Sequence, residues 1–271
     1  MNQQTFRKQW LRSHKAYEKR AYRIFRKAFR TMGRSIPFDQ LTEANYSGVL
    51  EHSIPTDTLK DAYTQVYLQI GIIHGTRIGR GINKDIKEFT TEAFLEAFRR
   101  YVYTWVLNNL GFRIQTVRAE YIKYINEIIL KGLEEGKGIL EVSKEIQKLV
   151  NSRNFYSWQS MRIARTESTG AANLGAVRSA RSSNIVYEKV WVSATDNRVR
   201  RHPKSRFDHL EMNGKFVLEN DYFDVDGELI EFPGAQFTKH GNQSSGQNVI
   251  NCRCGVGFRA KRDRNGRVVR R

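Results

Sequence analysis

The run IVYEKVWVSA (residues 185–194) is where the chain changes its period. It is β-branched and aromatic, and it alternates apolar with polar positions, the two-residue repeat of a strand. Upstream, WQSMRIARTESTGAANLGAVRSARSS (158–183) reads as a helix rich in Ala, with Ser, Thr and Gly for close packing. Downstream, GKFVLEN (214–220), GELIEF (227–232) and NVINCRCGVGF (248–258) are further short strand candidates. Turn signals at Asn213-Gly214, Asp226-Gly227 and Pro233-Gly234 separate them. The expected fold class is α+β: a long helical N-terminal region, then a small β-rich, loop-rich C-terminal module.

The helical part begins with residues 3–33. Trp10, Leu11, Tyr17, Tyr22, Ile24, Phe25, Ala28 and Phe29 recur at helical intervals between many Arg and Lys. Pro55, Thr56 and Asp57 then signal a new start, followed by Tyr63, Val66, Tyr67, Ile70, Ile73 and Ile78. The runs 90–111, 116–136 and 138–150 are amphipathic, the first capped by Thr90 or Thr91 and stopped at Gly111. Their apolar stripes read as core. The expected segments are a basic helix and linker (1–54), a helical region (55–183), a β-rich module (184–258) and a basic flexible tail (259–271).

The 271 residues carry a formal charge of +18. Such an excess points to a polyanionic neighbour, or to a very soluble basic protein with none. The N-terminus lacks the apolar core of a secretory leader, and no stretch is long and apolar enough to span a bilayer. The chain therefore reads as made in a reducing cytoplasm, with no membrane partner. The basic residues of the first helix (Arg7, Lys8, Arg12, Lys19, Arg20, Arg23, Arg26, Lys27 and Arg30) and of the C-terminus (Arg267, Arg270 and Arg271) are the candidate nucleic-acid contacts.

Cys252 and Cys254 are the two cysteines of the chain. A reducing compartment and a C-x-C spacing make a disulfide a poor expectation. If the run is extended, both side chains share one face and present two sulfurs to one ion, or both enter one core. Zinc needs two more ligands. His202, His209, His240, Asp196, Asp208, Asp221 and Asp224 are available, though the spacing matches no standard zinc finger. Asp208-His209 with Asn213 suggests a metal-dependent nuclease, but the His-Asn-His order is not met. Arg165 and Glu167 read as a network reaching from the helix to loops of the β module. There is no Walker loop, G-x-G-x-x-G, G-x-S-x-G or HExxH motif, so no catalytic set is complete.

Taken in order, RIARTESTGAANLGA (162–176), VWVSATDNRVR (190–200), FDHLEMNGKF (207–216), FPGA (232–235) and NVINCRC (248–254) resemble the head-morphogenesis domain of tailed-phage minor head proteins, the phage Mu protein F-like family. The chain departs from the pattern by extra residues between Arg200 and His209, and by Ala235 where an acid is often found. The distance to Asn213-Gly214 points to His209 rather than His202 as the family histidine. The resemblance implies a structural network of Arg165, Glu167, Asn173, Trp191, Asp196 and Arg200. It also implies that His209 meets Cys252 and Cys254, with zinc as the candidate ion and His202, His240 or Asp196 as candidate fourth ligand. By the same resemblance the expected role is a non-enzymatic minor capsid protein. It would be made in the bacterial host cytoplasm and carried in the virion, inside the capsid near the portal vertex. Its expected partners are the portal, other capsid proteins and DNA, during head assembly or DNA ejection. The rival expectations are a nuclease or toxin-like enzyme and a nonspecific basic DNA-binding module.

Overall fold

The computed structural model describes residues 3–82 and 91–271. Its helices are α1 (Gln3–Arg34), α2 (Tyr46–Ser53), α3 (Asp57–Ile82), α4 (Thr91–Asn109), α5 (Gly111–Glu134), α6 (Ile139–Asn151), α7 (Ser157–Arg181) and α8 (Gly246–Val249). The strands are β1 (Tyr187–Val192), β2 (Phe216–Leu218), β3 (Phe223–Val225), β4 (Glu228–Ile230) and β5 (Gly255–Ala260). The fold is α+β, with the strands following the long helices. Of the two capping candidates before α4, Thr90 lies outside the described residues.

The chain forms two compact units. One collects Met1–Tyr22, Val66–Val102 and Arg162–Arg271; the other collects Arg23–Gln65 and Tyr103–Met161.

The smaller unit is held by aromatic residues. Phe29 stacks on Tyr121 at 5.3 Å, and the Tyr121 hydroxyl donates to the Phe29 carbonyl at 3.0 Å. Phe25 meets Tyr63 edge-on at 5.1 Å. Fully burying each such apolar ring contributes about 1.5–3 kcal/mol. Arg118 ties α5 to α2 through Glu51 at 2.8 Å. Gly111 does not stop a helix here; it opens α5, because Leu110 accepts from Ile114 N–H while donating back to Val106. The short helix α2 has too few apolar repeats for sequence periodicity to reveal it.

In the larger unit, α7 is buried along most of its length. It crosses α3 at glycines: a Cβ on Gly175 would sit 2.1 Å from the Gly71 carbonyl oxygen. Gly175→Ala is expected to cost about 2–3 kcal/mol, since the helices must separate. A urea midpoint equal to that of the parent chain would refute the crossing.

The sheet order is β2-β1-β5, all antiparallel, with Trp191 opposite Val256 and Val192 opposite Gly255. β3 and β4 form a separate hairpin around Asp226-Gly227, where both residues have positive φ as a tight hairpin turn demands. β3 has three residues, too few to show alternation. Between the strands, buried Lys189 donates to the carbonyls of Asp221 (2.7 Å) and Glu231 (3.0 Å).

Two expectations about the C-terminal part are corrected. NVINCRCGVGF is not one strand. Ser245 caps the short helix α8, Asn251 turns the chain at φ +57, and β5 starts at Gly255. The cysteines thus lie on a turn, not on an extended face. Residues 259–271 are not a loose tail. Val186 N–H donates to Val269 O (3.0 Å), Lys261 N–H to Val186 O (2.8 Å) and Arg271 N–H to Asn184 O (2.9 Å). Asp263 closes the return by accepting from Asn265 and Arg267 N–H at 2.9 and 2.8 Å. The backbone pairs back on itself here, so no apolar period was needed.

Candidate functional site

The site is assembled on one face of α7. Thr166, Thr169 and Asn173 stand at i, i+3 and i+7, and all three are buried. Thr166 Oγ1 accepts from Asn251 N–H at 3.0 Å. Thr169 Oγ1 donates to the Cys252 carbonyl. Asn173 Nδ2 donates to the carbonyls of Pro233 (2.7 Å) and Cys254 (3.0 Å), while its Oδ1 accepts from Val256 N–H at 3.0 Å. The helix thus supplies partners for backbone groups of a turn that no sheet ladder covers. The Pro233-Gly234 turn presses on the same face: Gly234 has φ +77, and a Cβ there would meet Thr169 Cγ2 at 2.9 Å.

The N-terminal helix covers this turn from another direction. Trp10 Nε1 donates to the Arg253 carbonyl at 2.8 Å, and its ring occupies the space beside Gly255, 2.8 Å from where a Cβ would stand. His14 follows one turn later; its Nε2 lies 2.7 Å from Thr169 Oγ1. Since Thr169 spends its proton on Cys252, the His14 Nε2 carries the hydrogen. His14 Nδ1 faces Glu18 at 3.5 Å, but burial lowers the imidazole to about 3 and raises the carboxyl, so the contact is not an ion pair at neutral pH.

The two sulfurs converge on His209. Cys252 Sγ is 3.6 Å and Cys254 Sγ 3.7 Å from His209 Nδ1. Exposures are 1%, 2% and 1% for Cys252, Cys254 and His209. Among the described residues, this is the one group of His, Cys, Asp or Glu whose ligand atoms lie close enough to hold an ion, all within 4.8 Å of one another. His209 is held by its own backbone: N–H donates to Arg200 O at 3.0 Å, and its carbonyl accepts from Ser193 Oγ. Its ring packs edge-on to Trp191 at 5.3 Å, and Trp191 packs on Phe223.

The proton positions follow from an acceptor-only group. Glu228 Oε2 accepts from Asn248 Nδ2 at 2.5 Å, so the Asn248 Oδ1 is turned to His209 Nε2 at 2.8 Å. That oxygen requires Nε2–H. Nδ1 is then the bare nitrogen, and it faces both sulfurs. The hydrogen bond between the thiols lowers Cys252 to about 7 and, with burial, raises Cys254.

The other expected ligands do not join. His202 is exposed and pairs with Asp226 at 3.3 Å, and His240 is exposed. Asp196 is taken by the Arg253 guanidinium, which holds its carboxyl below the usual range. Asp208 caps the backbone N–H of Glu211 (2.8 Å) and His202 (3.0 Å). In the expected network, Asn173 and Trp191 border the site and Arg200 donates to the Ile250 carbonyl. Glu167 instead accepts from Tyr67 of α3 at 2.9 Å, and Arg165 lies 4.0 Å from Glu18. No sequence motif marks Thr166, Thr169, Ser193, Glu228 or Asn248, although the i, i+3, i+7 spacing of the first two with Asn173 is a usable signal.

Residues 123–257 match the model of the family described as Phage Mu protein F like protein. This stretch belongs to the phage Mu protein F-like family. Neither the curated proteins nor the solved structures gave a match. The Mu protein F-like segment takes in α7, strands β1 to β4, the cysteine turn and the first residues of β5. The family is a structural phage head family, so the chain is a head-related virion component. Trp10 and His14, which complete the packing around the turn, come from outside the matched segment.

The cations expected to contact nucleic acid divide in two. Lys8, Arg12, Lys19, Arg20, Arg23 and Lys27 are exposed on α1, and Arg267 and Arg270 near the C-terminus. Arg7 reaches Asn213 Oδ1 at 3.3 Å, Arg30 the carbonyls of Asn151 and Ser152, and Arg271 Glu219 at 2.5 Å. Arg26 is half-buried.

Proposed function

We propose that this protein is a structural, non-enzymatic minor head protein of a tailed phage or prophage. It associates with the portal vertex inside the capsid and lies against packaged DNA during head assembly or ejection. The reading rests on the family and on one surface. Lys8, Arg12, Lys15 and Lys19 are exposed and recur every three or four residues, so they form a line about 17 Å long on one side of α1. The helix carries one acid, Glu18, which is mostly buried. A cation line of this kind suits phosphates and reads no sequence. Arg198, Arg200 and Arg206 add a second basic surface around one shallow cleft, with Gln247 and Asn251.

The burial of His209 speaks for the non-enzymatic reading: both ring nitrogens face protein atoms, away from any polymer substrate. Protein contact is supported by Tyr103 and Leu107, exposed one turn apart on α4, and by exposed Phe112.

Binding to duplex DNA of unrelated sequences is expected to be equal and steeply salt-dependent. Replacing Lys8, Arg12, Lys15 and Lys19 together with Ala should lower the slope of log K against log salt by about 3–4. A salt-independent affinity would refute phosphate contact. Co-purification with the portal protein from procapsids tests the location, and cleavage of plasmid DNA by the pure protein with added metal would overturn the non-enzymatic reading.

A further inference from the structure

We propose that Cys252, Cys254 and His209 bind one zinc ion, which clamps the loop after β1 to the turn before β5. This inference does not depend on the phage-head reading. Its first support is distance. Zinc–sulfur and zinc–nitrogen bonds of about 2.3 and 2.05 Å meeting at a tetrahedral angle place sulfur and nitrogen about 3.6 Å apart. The observed separations from His209 Nδ1 are 3.6 and 3.7 Å. A thiol–imidazole hydrogen bond would account for one of these contacts only, because Nδ1 has a single lone pair and two sulfurs face it.

The second support is the outer layer. A histidine that ligates zinc commonly donates its other N–H to an oxygen that fixes ring and tautomer. Here the chain Glu228–Asn248–His209 does so, with the direction of each hydrogen bond set by the carboxylate. This is the orientation that exposes Nδ1 as a donor to the ion. The third is position: the ligands come from segments more than forty residues apart, 209 against 252 and 254. One ion would join them as a cross-link.

Burial of all three ligands makes the ion structural rather than catalytic, since a catalytic zinc keeps an open, solvent-reached position. Ser193 Oγ lies 3.9 Å from Cys254 Sγ, on the same buried side of the group.

The test uses the full chain, purified under reducing conditions. Elemental analysis should find about one zinc per chain. After chelation, titration with Co²⁺ alone should give a thiolate-to-cobalt charge-transfer band saturating at one equivalent. The chain has two cysteines, so this band reports Cys252 and Cys254 without any mutation. Asn248→Ala removes the orienting group and no ligand; it should keep the band but weaken Co²⁺ binding about 10–100-fold. Absence of the band in the folded parent chain overturns the assignment, whether the thiols are found free or joined. So does an Asn248→Ala affinity equal to the parent's.

Discussion

Asn173→Ala is expected to destabilise the protein by about 3–5 kcal/mol, because it strands three buried backbone groups that have no other role for their hydrogen-bonding capacity. The Pro233 and Cys254 carbonyls lose a donor and Val256 N–H loses its acceptor. None of the three can turn to water, for Pro233, Cys254 and Val256 are all buried. The effect is local in cause and wide in reach: the side chain joins α7 to both the Pro-Gly turn and the start of β5. In a unit of this size the loss lowers Tm by about 10 °C. Asn173→Asp separates the parts of the role. It keeps an acceptor for Val256 but sets a carboxylate against two carbonyl oxygens, and should be no milder than Ala. Thermal unfolding followed by circular dichroism checks both. A shift of a degree or two for Asn173→Ala would mean that the turn stands without its helix strut.

Much of this arrangement is legible in the amino-acid sequence. The change of period at 185 marked the passage from helix to sheet, because β1 is long enough for alternation to show. Asp226-Gly227 marked a hairpin since its backbone conformation suits few other residues. The meeting of His209 with the cysteines came from the order of motifs, not from spacing. What stayed hidden has common physical causes. β3 and the C-terminal return pair too few residues to leave a period. The cysteine turn reads as a strand because Val249, Ile250 and Val256 are strand formers, and only Asn251 and the Ser245 cap break the run. The contact of Trp10 with Arg253 and Gly255 joins residues more than 240 positions apart, and an apolar stripe on a helix names no partner. On the first helix, Trp10 and His14 are spent on the packing around the cysteine turn, while Lys8, Arg12, Lys15 and Lys19 on the opposite side stay exposed.

The same packing predicts sensitivity to acid. His74 is buried against Trp10 and Tyr17, with ring centroids 5.1 and 5.7 Å away, and the Tyr17 hydroxyl lies 3.3 Å from Nδ1. Burial, then the Arg77 charge, then His14, lowers its imidazole from 6.5 to about 3. The unfolded chain takes up this proton as pH falls through 6.5, and the folded chain does not until about 3. The unfolded state binds one more proton throughout that window, so stability falls with falling pH, by about 1.4 kcal/mol per unit. His14, lowered to about 3 for the same first reason, adds a second proton of the same sign. Between about pH 6 and 5, above the range where most carboxylates titrate, the two together remove up to about 3 kcal/mol. Urea midpoints measured across that interval give the slope directly. His74→Gln, which keeps a polar partner for Tyr17 and cannot be protonated, should lower the slope by one proton. A parent slope near zero, or one that His74→Gln leaves unchanged, would show that His74 is not held neutral by the fold.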